Sequence, residues 1–399
     1  MTEYLLNSDH DAPSLNDVKY PFLLYADDVV LISKSKRGLN NMIETLEIFC
    51  ADNDLEINSD KCEYMIVNNC RKQPDDFVLI NSNRVKNVQV IRYLGVWFNR
   101  KGSWNRHSDI SLARMNLSLN CAKYIFSKGP DKRTDFARQL LDTFVSPIMT
   151  FGSHVWKVSK YDKFDSVRSL FLKKVLGQPL KSRNVSTLFE AGCICSECLI
   201  AYHVANFYAR CLTNDRLLHV RKIIFSKLRD VNSRVYKDMD FLAKFNLANV
   251  LFDAPKVVLE DKKSIKLMLR GKCFDLHVKD DRLGADSQYY ATNKTMVSPE
   301  YLRKCDAETR NMLFMVRTGN WRKLPKLLDF MFPRGAARMC DKCGVALNTE
   351  HLMELCVALR GRRNTLKKEN GLGPNDKITW LFDDPRDPHD FVFFFAVIC

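Results

Sequence analysis

Two adjacent carboxylates, Asp27 and Asp28, stand between two short apolar runs near the start of the chain. The runs, residues 22–24 and 29–32, have the length and the large or β-branched side chains of strands, so the acidic pair is expected at a hairpin turn. Adjacent carboxylates repel each other, and a hard cation such as Mg²⁺ removes that repulsion while it bridges to substrate phosphates. The pattern indicates half of a two-metal phosphoryl-transfer site, with a solvated acidic turn as the alternative.

A second group of potential ligands lies late in the chain as Cys340-x2-Cys343-x7-His351-x4-Cys356. Three thiolates and one imidazole make a closed tetrahedral set for Zn²⁺, which is typical of structural zinc sites. Gly344 allows the tight turn that brings the first two thiolates together. The alternative is an accidental cluster in a chain that has 14 cysteines.

Other cysteines favour structural roles. One tight group is interpreted as structural, because its first two thiols are too close in sequence for the usual zinc hook; it comprises Cys193, Cys195, Cys198 and His203. Three more are expected to be small core residues in apolar periodic stretches: Cys50, Cys62 and Cys121. The irregular spacing does not suggest a disulfide framework, and we therefore expect a reducing compartment, the nucleus or the cytoplasm.

Basic residues follow the cysteine–histidine motif. Arg360, Arg363 and Lys367 are three and four residues apart, so they share one face of a helix. Such a helix would contact the phosphates of template RNA or target DNA with little base readout, and a solvated helix face is the alternative.

Charge is distributed unevenly over the 399 residues, whose net charge is +15. Residues 1–60 carry a net charge of −8 and residues 61–399 one of +23. An acidic metal-binding end beside a basic remainder suits a protein that follows a phosphate backbone. The N-terminus lacks the apolar stretch of a secretory signal, and the apolar run 391–399 is shorter than the roughly 20 residues of a membrane span, so no membrane partner is expected.

Helices are expected to follow the acidic turn and to dominate the middle of the chain. The apolar positions of residues 39–50 have the spacing of a core-facing helical stripe. Three further helical segments are predicted from residue 109 onward, in 135–149 and in 165–176. The stripe of the first of these is formed by Ile110, Ala113, Leu117 and Cys121.

Three motifs in order resemble the reverse-transcriptase palm of non-LTR (LINE-type) retrotransposons. They are Tyr25-Ala26-Asp27-Asp28, the segment Leu55-Glu56-Ile57-Asn58-Ser59-Asp60-Lys61-Cys62, and Arg92-Tyr93-Leu94-Gly95-Val96. A Cys-Cys-His-Cys knuckle late in the chain recurs in the same family. The glycine that usually precedes the second motif is Asp54 here, so this turn is expected to be less relaxed.

The resemblance implies roles for single residues. Asp27 and Asp28 would hold catalytic Mg²⁺, with Asp27 as the more direct ligand. Lys61 would place a positive charge near the departing pyrophosphate, and an ordinary exposed lysine is the alternative. A tripeptide that also packs would hold the primer end: Tyr93, Leu94 and Gly95.

The same resemblance shows what is missing. The family supplies a further carboxylate upstream, in a segment that ends Ala-Phe-Asp, whereas the acidic residues before Tyr25 include Asp9 and Asp11 in a polar loop. We therefore expect an N-terminally truncated, inactive fragment of an RNA-directed DNA polymerase that performs target-primed reverse transcription, with dNTP as a partner only if it is active. The alternative is a non-catalytic, zinc-containing nucleic-acid-binding remnant.

The expected fold class is α+β. A partial polymerase palm, an antiparallel sheet with a helix, would occupy residues 1–105 and a helical thumb-like domain residues 106–215. A helical linker region would span 216–335, and the zinc knuckle with its basic C-terminal helix would span 336–399.

Overall fold

The computed structural model describes residues 1–7, 11–15, 17–67, 76–128, 134–156, 161–178, 180–279, 302, 310–311, 313–314, 339–340, 342–345 and 351–377. The chain forms two compact units. One is built from residues 1–110 and 214–237, and the other from residues 111–213 and 238–399.

The first unit combines helices with small antiparallel sheets, so the predicted α+β class is confirmed. Each sheet has two strands that pair as a hairpin, β1 with β2, β3 with β4, β5 with β6 and β7 with β8. In chain order the elements are α1 (Thr2–Asn7), β1 (Ser14–Leu15), β2 (Val18–Lys19), β3 (Phe22–Tyr25), β4 (Asp28–Leu31), α2 (Lys36–Asp52), a 3₁₀ turn (Ser59–Lys61), β5 (Phe77–Ile80), β6 (Asn83–Lys86), β7 (Val90–Tyr93) and β8 (Val96–Asn99).

Helix α2 is the helix predicted after the acidic turn. Ser35 caps it, with the Ser35 hydroxyl accepting a hydrogen bond from the Gly38 amide. Met42 and Ile43 are buried, as the apolar spacing predicts. Ile43 packs in a small core, whose other buried members are Tyr64, Val78 and Val85. Leu31 of β4 packs against this core, so the end of the acidic hairpin is anchored to it.

The turn that follows α2 has the strain that its sequence predicts. Asp54 has a φ of 52°, in the left-handed region where glycine is favoured. The less relaxed turn is thus confirmed.

The remaining elements of the described residues are helical. In chain order they are α3 (Asn105–Lys128), α4 (Thr134–Leu140), a π turn (Leu141–Val145), α5 (Ser146–Thr150), α6 (Tyr161–Val175), α7 (Asn184–Glu190), α8 (Ser196–Thr213), a 3₁₀ turn (Asp215–Leu217), α9 (Leu218–Lys227), α10 (Arg234–Ala243), α11 (Leu247–Asp253), α12 (Pro255–Glu260), α13 (Lys262–Lys279), a π turn (His351–Leu355), a 3₁₀ turn (Val357–Leu359) and α14 (Arg360–Glu369). The three helical segments predicted in the middle of the chain are therefore present.

The predicted buried face of α3 is wrong. Leu117 is 68% exposed and Cys121 is exposed, whereas Met115, Leu119 and Phe126 are buried. The helix carries two apolar stripes, and the one with the larger side chains is buried because it removes more apolar surface from water. Cys121 is accordingly not a core residue.

The structure tests three further expectations only in part or not at all. Among the described helices, none is both long and apolar enough to cross a membrane. The apolar run 391–399 lies outside the described residues. The four predicted domain boundaries stay a prediction.

Candidate functional sites: an acidic hairpin turn and cysteine clusters

The acidic pair lies at a two-residue hairpin turn. Tyr25 at the end of β3 pairs with Asp28 at the start of β4, which leaves Ala26 and Asp27 as the loop. Ala26 has a φ of 53°, at a turn position that glycine normally occupies. Holding an L-residue there costs about 1–2 kcal/mol. Strain of this kind is typical of functional positions. The strained conformation of Ala26 places Asp27 at the tip of the hairpin.

The turn is open to solvent. Asp27 and Asp28 are exposed, and Tyr25 is 63% exposed. Leu23 and Leu24 of β3 are also exposed, although strand leucines normally pack against something. The hairpin therefore presents both its carboxylates and an apolar strand on the surface of the first unit.

No third metal ligand joins the acidic pair among the His, Cys, Asp and Glu side chains of the described residues. Asp11 is engaged elsewhere, because its carboxylate accepts a hydrogen bond from the Ser33 hydroxyl before the start of α2. Hydrogen bonds from Ser33 and then from Ser35 lower the pKa of Asp11 to about 2. Asp9 lies outside the described residues.

Lys61 ends an exposed 3₁₀ turn in the same unit. The Asn58 side chain accepts a hydrogen bond from the Lys61 amide at 3.3 Å, and the Asn83 amide group donates to the Ser59 hydroxyl at 3.0 Å. The first bond closes the turn, and the second ties it to the β5–β6 hairpin. Lys61 forms no ion pair with Asp27 or Asp28 in the part of the chain that the structure describes.

The same region holds a half-buried polar network. The Tyr64 hydroxyl donates to Asp76 at 3.0 Å, and Lys36 of α2 pairs with the same carboxylate. Burial, followed by the bond to Asp76, raises the pKa of Tyr64 to about 12. The Lys36 hydrogen bond lowers the pKa of Asp76. Since Lys36 lies in the first turn of α2, the network fixes that helix beside β5.

The Tyr93-Leu94-Gly95 tripeptide lies at a hairpin turn. Tyr93 pairs with Val96, so Leu94 and Gly95 are the two loop residues between β7 and β8. Both have positive φ, 45° and 84°, as a type I′ turn requires. A leucine in this conformation is a genuine outlier, and Leu94 is 39% exposed.

The late cysteine–histidine motif converges on one point. The ligand atoms of Cys340, Cys343, His351 and Cys356 all lie within 4.8 Å of one another. The Cys356 sulfur lies 3.8 Å from that of Cys340 and 3.9 Å from that of Cys343. A tetrahedral zinc ion with bonds of about 2.3 Å to sulfur places its sulfurs about 3.8 Å apart. The spacing and the donor set therefore both fit Zn²⁺.

Local backbone geometry builds this cluster. Gly344 has a φ of 67°, and its amide donates to the Cys340 carbonyl at 2.7 Å, which closes the turn between the first two cysteines. The Cys356 amide donates to the His351 carbonyl at 2.6 Å, across one π turn. Burial acts to raise the pKa of Cys340, but the His351 hydrogen bond and backbone amides outweigh it and lower the pKa to about 7.

One basic residue of helix α14 contacts this cluster. Arg363 is buried, and its guanidinium donates to the Cys356 carbonyl at 2.6 Å. Lys367 donates to the Pro374 carbonyl at 2.9 Å, and Arg360 is exposed. Arg363 therefore braces the cluster, which leaves little of its side chain for a phosphate.

Comparison with known proteins covers the region of the acidic hairpin. Residues 4–98 match the family model described as reverse transcriptase (RNA-dependent DNA polymerase). Residues 4–98 are therefore similar to reverse transcriptases. The RNA-directed DNA polymerase from mobile element jockey of Drosophila melanogaster is 21% identical over 174 residues, or 40% of this chain. The matched segment spans 19% of that protein's length. Within the matched residues 4–98 lie the acidic turn, Lys61 and the Leu94 turn.

A second cysteine cluster lies outside the matched residues 4–98. The structure groups Cys195 and Cys198 with Cys273 of α13, whereas Cys193 and His203 do not join the group. No spacing rule connects Cys273 with residues so far away in sequence. Its one sequence signal is that it continues the buried helical stripe of Ile265 and Leu269.

Proposed function

We propose that this chain provides the metal-binding turn of an RNA-directed DNA polymerase that acts by two-metal nucleotidyl transfer in target-primed reverse transcription. The observation that supports it most is the exposed, strained Ala26-Asp27-Asp28 turn within the matched residues 4–98. A tight turn places two carboxylates at the surface, where both are accessible to a cation and to a nucleotide. Hard carboxylate oxygens are the ligands that Mg²⁺ prefers.

The position of each residue suggests its role in the reaction. Asp27 at the tip and Asp28 at the first position of β4 would hold the cation, with Asp27 as the more direct ligand. Mg²⁺ bound there would supply Lewis-acid stabilisation of the charge on the transferring phosphate. Lys61 would add positive charge near the departing pyrophosphate from its fixed 3₁₀ turn.

The primer end would lie against the β7–β8 turn. Leu94 keeps a costly left-handed conformation while its side chain remains partly exposed. A position that is both strained and exposed is difficult to explain by packing alone. We infer that Leu94, flanked by Tyr93 and Gly95, is an apolar contact for the primer.

The described residues provide an incomplete catalytic set. Two aspartates leave a two-metal site without its further carboxylate, and Asp11 is held by Ser33. We propose that another polypeptide segment supplies this ligand and covers the exposed Leu23 and Leu24 of β3. The chain by itself would then bind divalent cations weakly and would not extend primers.

Zinc would have a structural role late in the chain. Cys340, Cys343, His351 and Cys356 would hold Zn²⁺ as a knuckle, and α14 would extend from it with Arg360 and Lys368 exposed. These charges, together with Lys367, would contact the phosphates of template RNA or target DNA. The described cysteines form no disulfide with one another, which suits a reducing compartment, the nucleus or the cytoplasm.

Divalent-ion binding tests the role of the acidic turn. Mn²⁺ binding to the purified chain, followed by electron paramagnetic resonance, is expected to be lost in Asp27→Asn and kept in Glu44→Gln, an exposed acidic residue of α2. Equal Mn²⁺ binding in the parent and in Asp27→Asn would refute the metal role.

Primer extension tests the missing ligand. No Mg²⁺-dependent dNTP incorporation on a primed RNA template is expected from the chain by itself, and robust incorporation would show that the two aspartates need no external partner.

A second candidate function is a non-catalytic, zinc-containing nucleic-acid-binding remnant. The absence of a third ligand beside Asp27 and Asp28, in the described residues, favours it. The two candidate functions predict different divalent-ion affinities for the parent protein. The remnant would bind RNA without any divalent-ion affinity at the turn. Isothermal titration with Mg²⁺ and with RNA therefore distinguishes them.

A further inference from the structure

Three buried cysteines from two separate segments meet inside the second unit. Cys195 precedes α8 and Cys198 lies in its first turn, while Cys273 lies in α13. Their sulfur atoms are all within 4.8 Å of one another, and each residue is at most 4% exposed. We propose that Cys195, Cys198 and Cys273 form a second thiolate metal site, for Zn²⁺, that fastens the start of α8 to α13.

The distances suit a shared ion. The sulfurs of Cys195 and Cys198 are 3.4 Å apart, slightly closer than the spacing of about 3.8 Å around tetrahedral zinc. The Cys195 amide points to the Cys273 sulfur at 3.3 Å, which is a hydrogen bond that stabilises a thiolate. The Cys195-x2-Cys198 spacing is that of a zinc hook, although the earlier Cys193 suggested a closer and unsuitable pair.

Neighbouring polar residues fix the hook independently of the sulfurs. Arg168 is buried and donates to the Ile194 carbonyl at 2.9 Å, while the Ser196 amide donates to Asp165 at 2.8 Å. The backbone on both sides of Cys195 is therefore held by a buried ion pair between Arg168 and Asp165. Preorganised ligands of this kind are typical of metal sites.

Ordinary core packing explains the other buried cysteines better than these three. Cys193 is buried but does not join the group, and such a thiol behaves as a small apolar group. The cluster instead brings three thiols to one point from segments far apart in sequence. No fourth His, Cys, Asp or Glu of the described residues joins it.

Zinc content of the full chain tests the site. After loading with Zn²⁺ and removal of free metal, the parent is expected to hold about two ions per chain, one in each cluster. Cys198→Ser and Cys343→Ser should each lose about one ion, and Cys193→Ser, a matched buried cysteine of the same loop, should lose none. A single ion in the parent that disappears in Cys343→Ser would overturn the proposal.

A second measurement avoids dependence on a variant that fails to fold. In the Cys343→Ser chain, in which the three proposed thiolates are intact, Co²⁺ should produce the sulfur-to-metal charge-transfer absorption of about three thiolates. Chelation of the metal should also lower the urea midpoint of this chain. Absence of the absorption, or a mass consistent with a Cys195–Cys198 disulfide in the purified chain, would contradict the site. Neither result bears on the polymerase proposal, which rests on other residues.

Discussion

Replacement of Leu94 by asparagine is expected to stabilise the first unit and to weaken nucleic-acid binding. Leu94 has a φ of 45°, and an L-residue in this region costs about 1–2 kcal/mol. Asparagine tolerates the left-handed conformation better, so Leu94→Asn should raise the free energy of unfolding by about 1 kcal/mol. Little burial is lost, because Leu94 is already 39% exposed. Urea denaturation should show a higher midpoint with an unchanged slope.

The same change should reduce affinity for a primed template. Complete burial of a leucine contributes about 1.5–3 kcal/mol, so covering the exposed 39% of Leu94 would contribute about 1 kcal/mol to binding. Loss of that contact corresponds to an increase of about fivefold in Kd. Fluorescence anisotropy with a labelled primer–template measures it.

The β5–β6 turn provides a matched control. Ser82 also has a positive φ, 62°, and lies in the two-residue loop of a hairpin for which no primer contact is proposed. Ser82→Gly should relieve strain in the same way and leave primer–template affinity unchanged. If Leu94→Asn stabilises the protein but binds as tightly as the parent, the primer contact is refuted. If it does not stabilise the protein, the strain argument is refuted.

Three further perturbations test other parts of the structure. Asp54→Gly should raise the free energy of unfolding by about 0.5–1 kcal/mol, because Asp54 has a φ of 52°, and a urea midpoint no higher than that of the parent would contradict this. Arg363→Met should destabilise the Cys340–Cys356 cluster by about 1–3 kcal/mol through loss of its bond to the Cys356 carbonyl, whereas the exposed Lys368→Met should have little effect; thermal unfolding compares them. The pKa of Asp11 is lowered to about 2 by Ser33 and Ser35, so its stabilisation is present above the ordinary pKa near 3.8 and is lost as the pH falls from about 4 to about 2. Asp11→Asn should therefore reduce the decline of the urea midpoint over that pH range, and an unchanged decline would show that Asp11 does not contribute.

Local patterns in the sequence predicted the features that depend on neighbouring residues. The apolar runs around Asp27 and Asp28 indicated a hairpin, and the structure has a two-residue turn there. Helix α2 and the strained turn at Asp54 were likewise predicted, since helical spacing and the need for positive φ are properties of a few consecutive residues. The Cys340–Cys356 motif was found in the same way, because its ligands lie on one short segment.

Tertiary structure decided which of several compatible surfaces became buried. Helix α3 carries two apolar stripes, and only its packing partners selected Met115 and Leu119 over Leu117. Arg363 shares a helical face with Lys367, but its contact with the Cys356 carbonyl turns it towards the cluster and away from solvent. Helical spacing gives the angular position of a residue and not the identity of its neighbour.

The amino-acid sequence by itself therefore determined the acidic hairpin, the helical character of the middle and the four clustered side chains of the late cysteine–histidine motif. The fold alone brought Cys273 to Cys195 and Cys198, because contacts between residues far apart in the chain depend on how helices pack. Turn geometry and ligand spacing depend on residues that are close together in the covalent chain. The packing of α13 beside α8 depends instead on apolar burial summed over many side chains, for which no short motif encodes a partner.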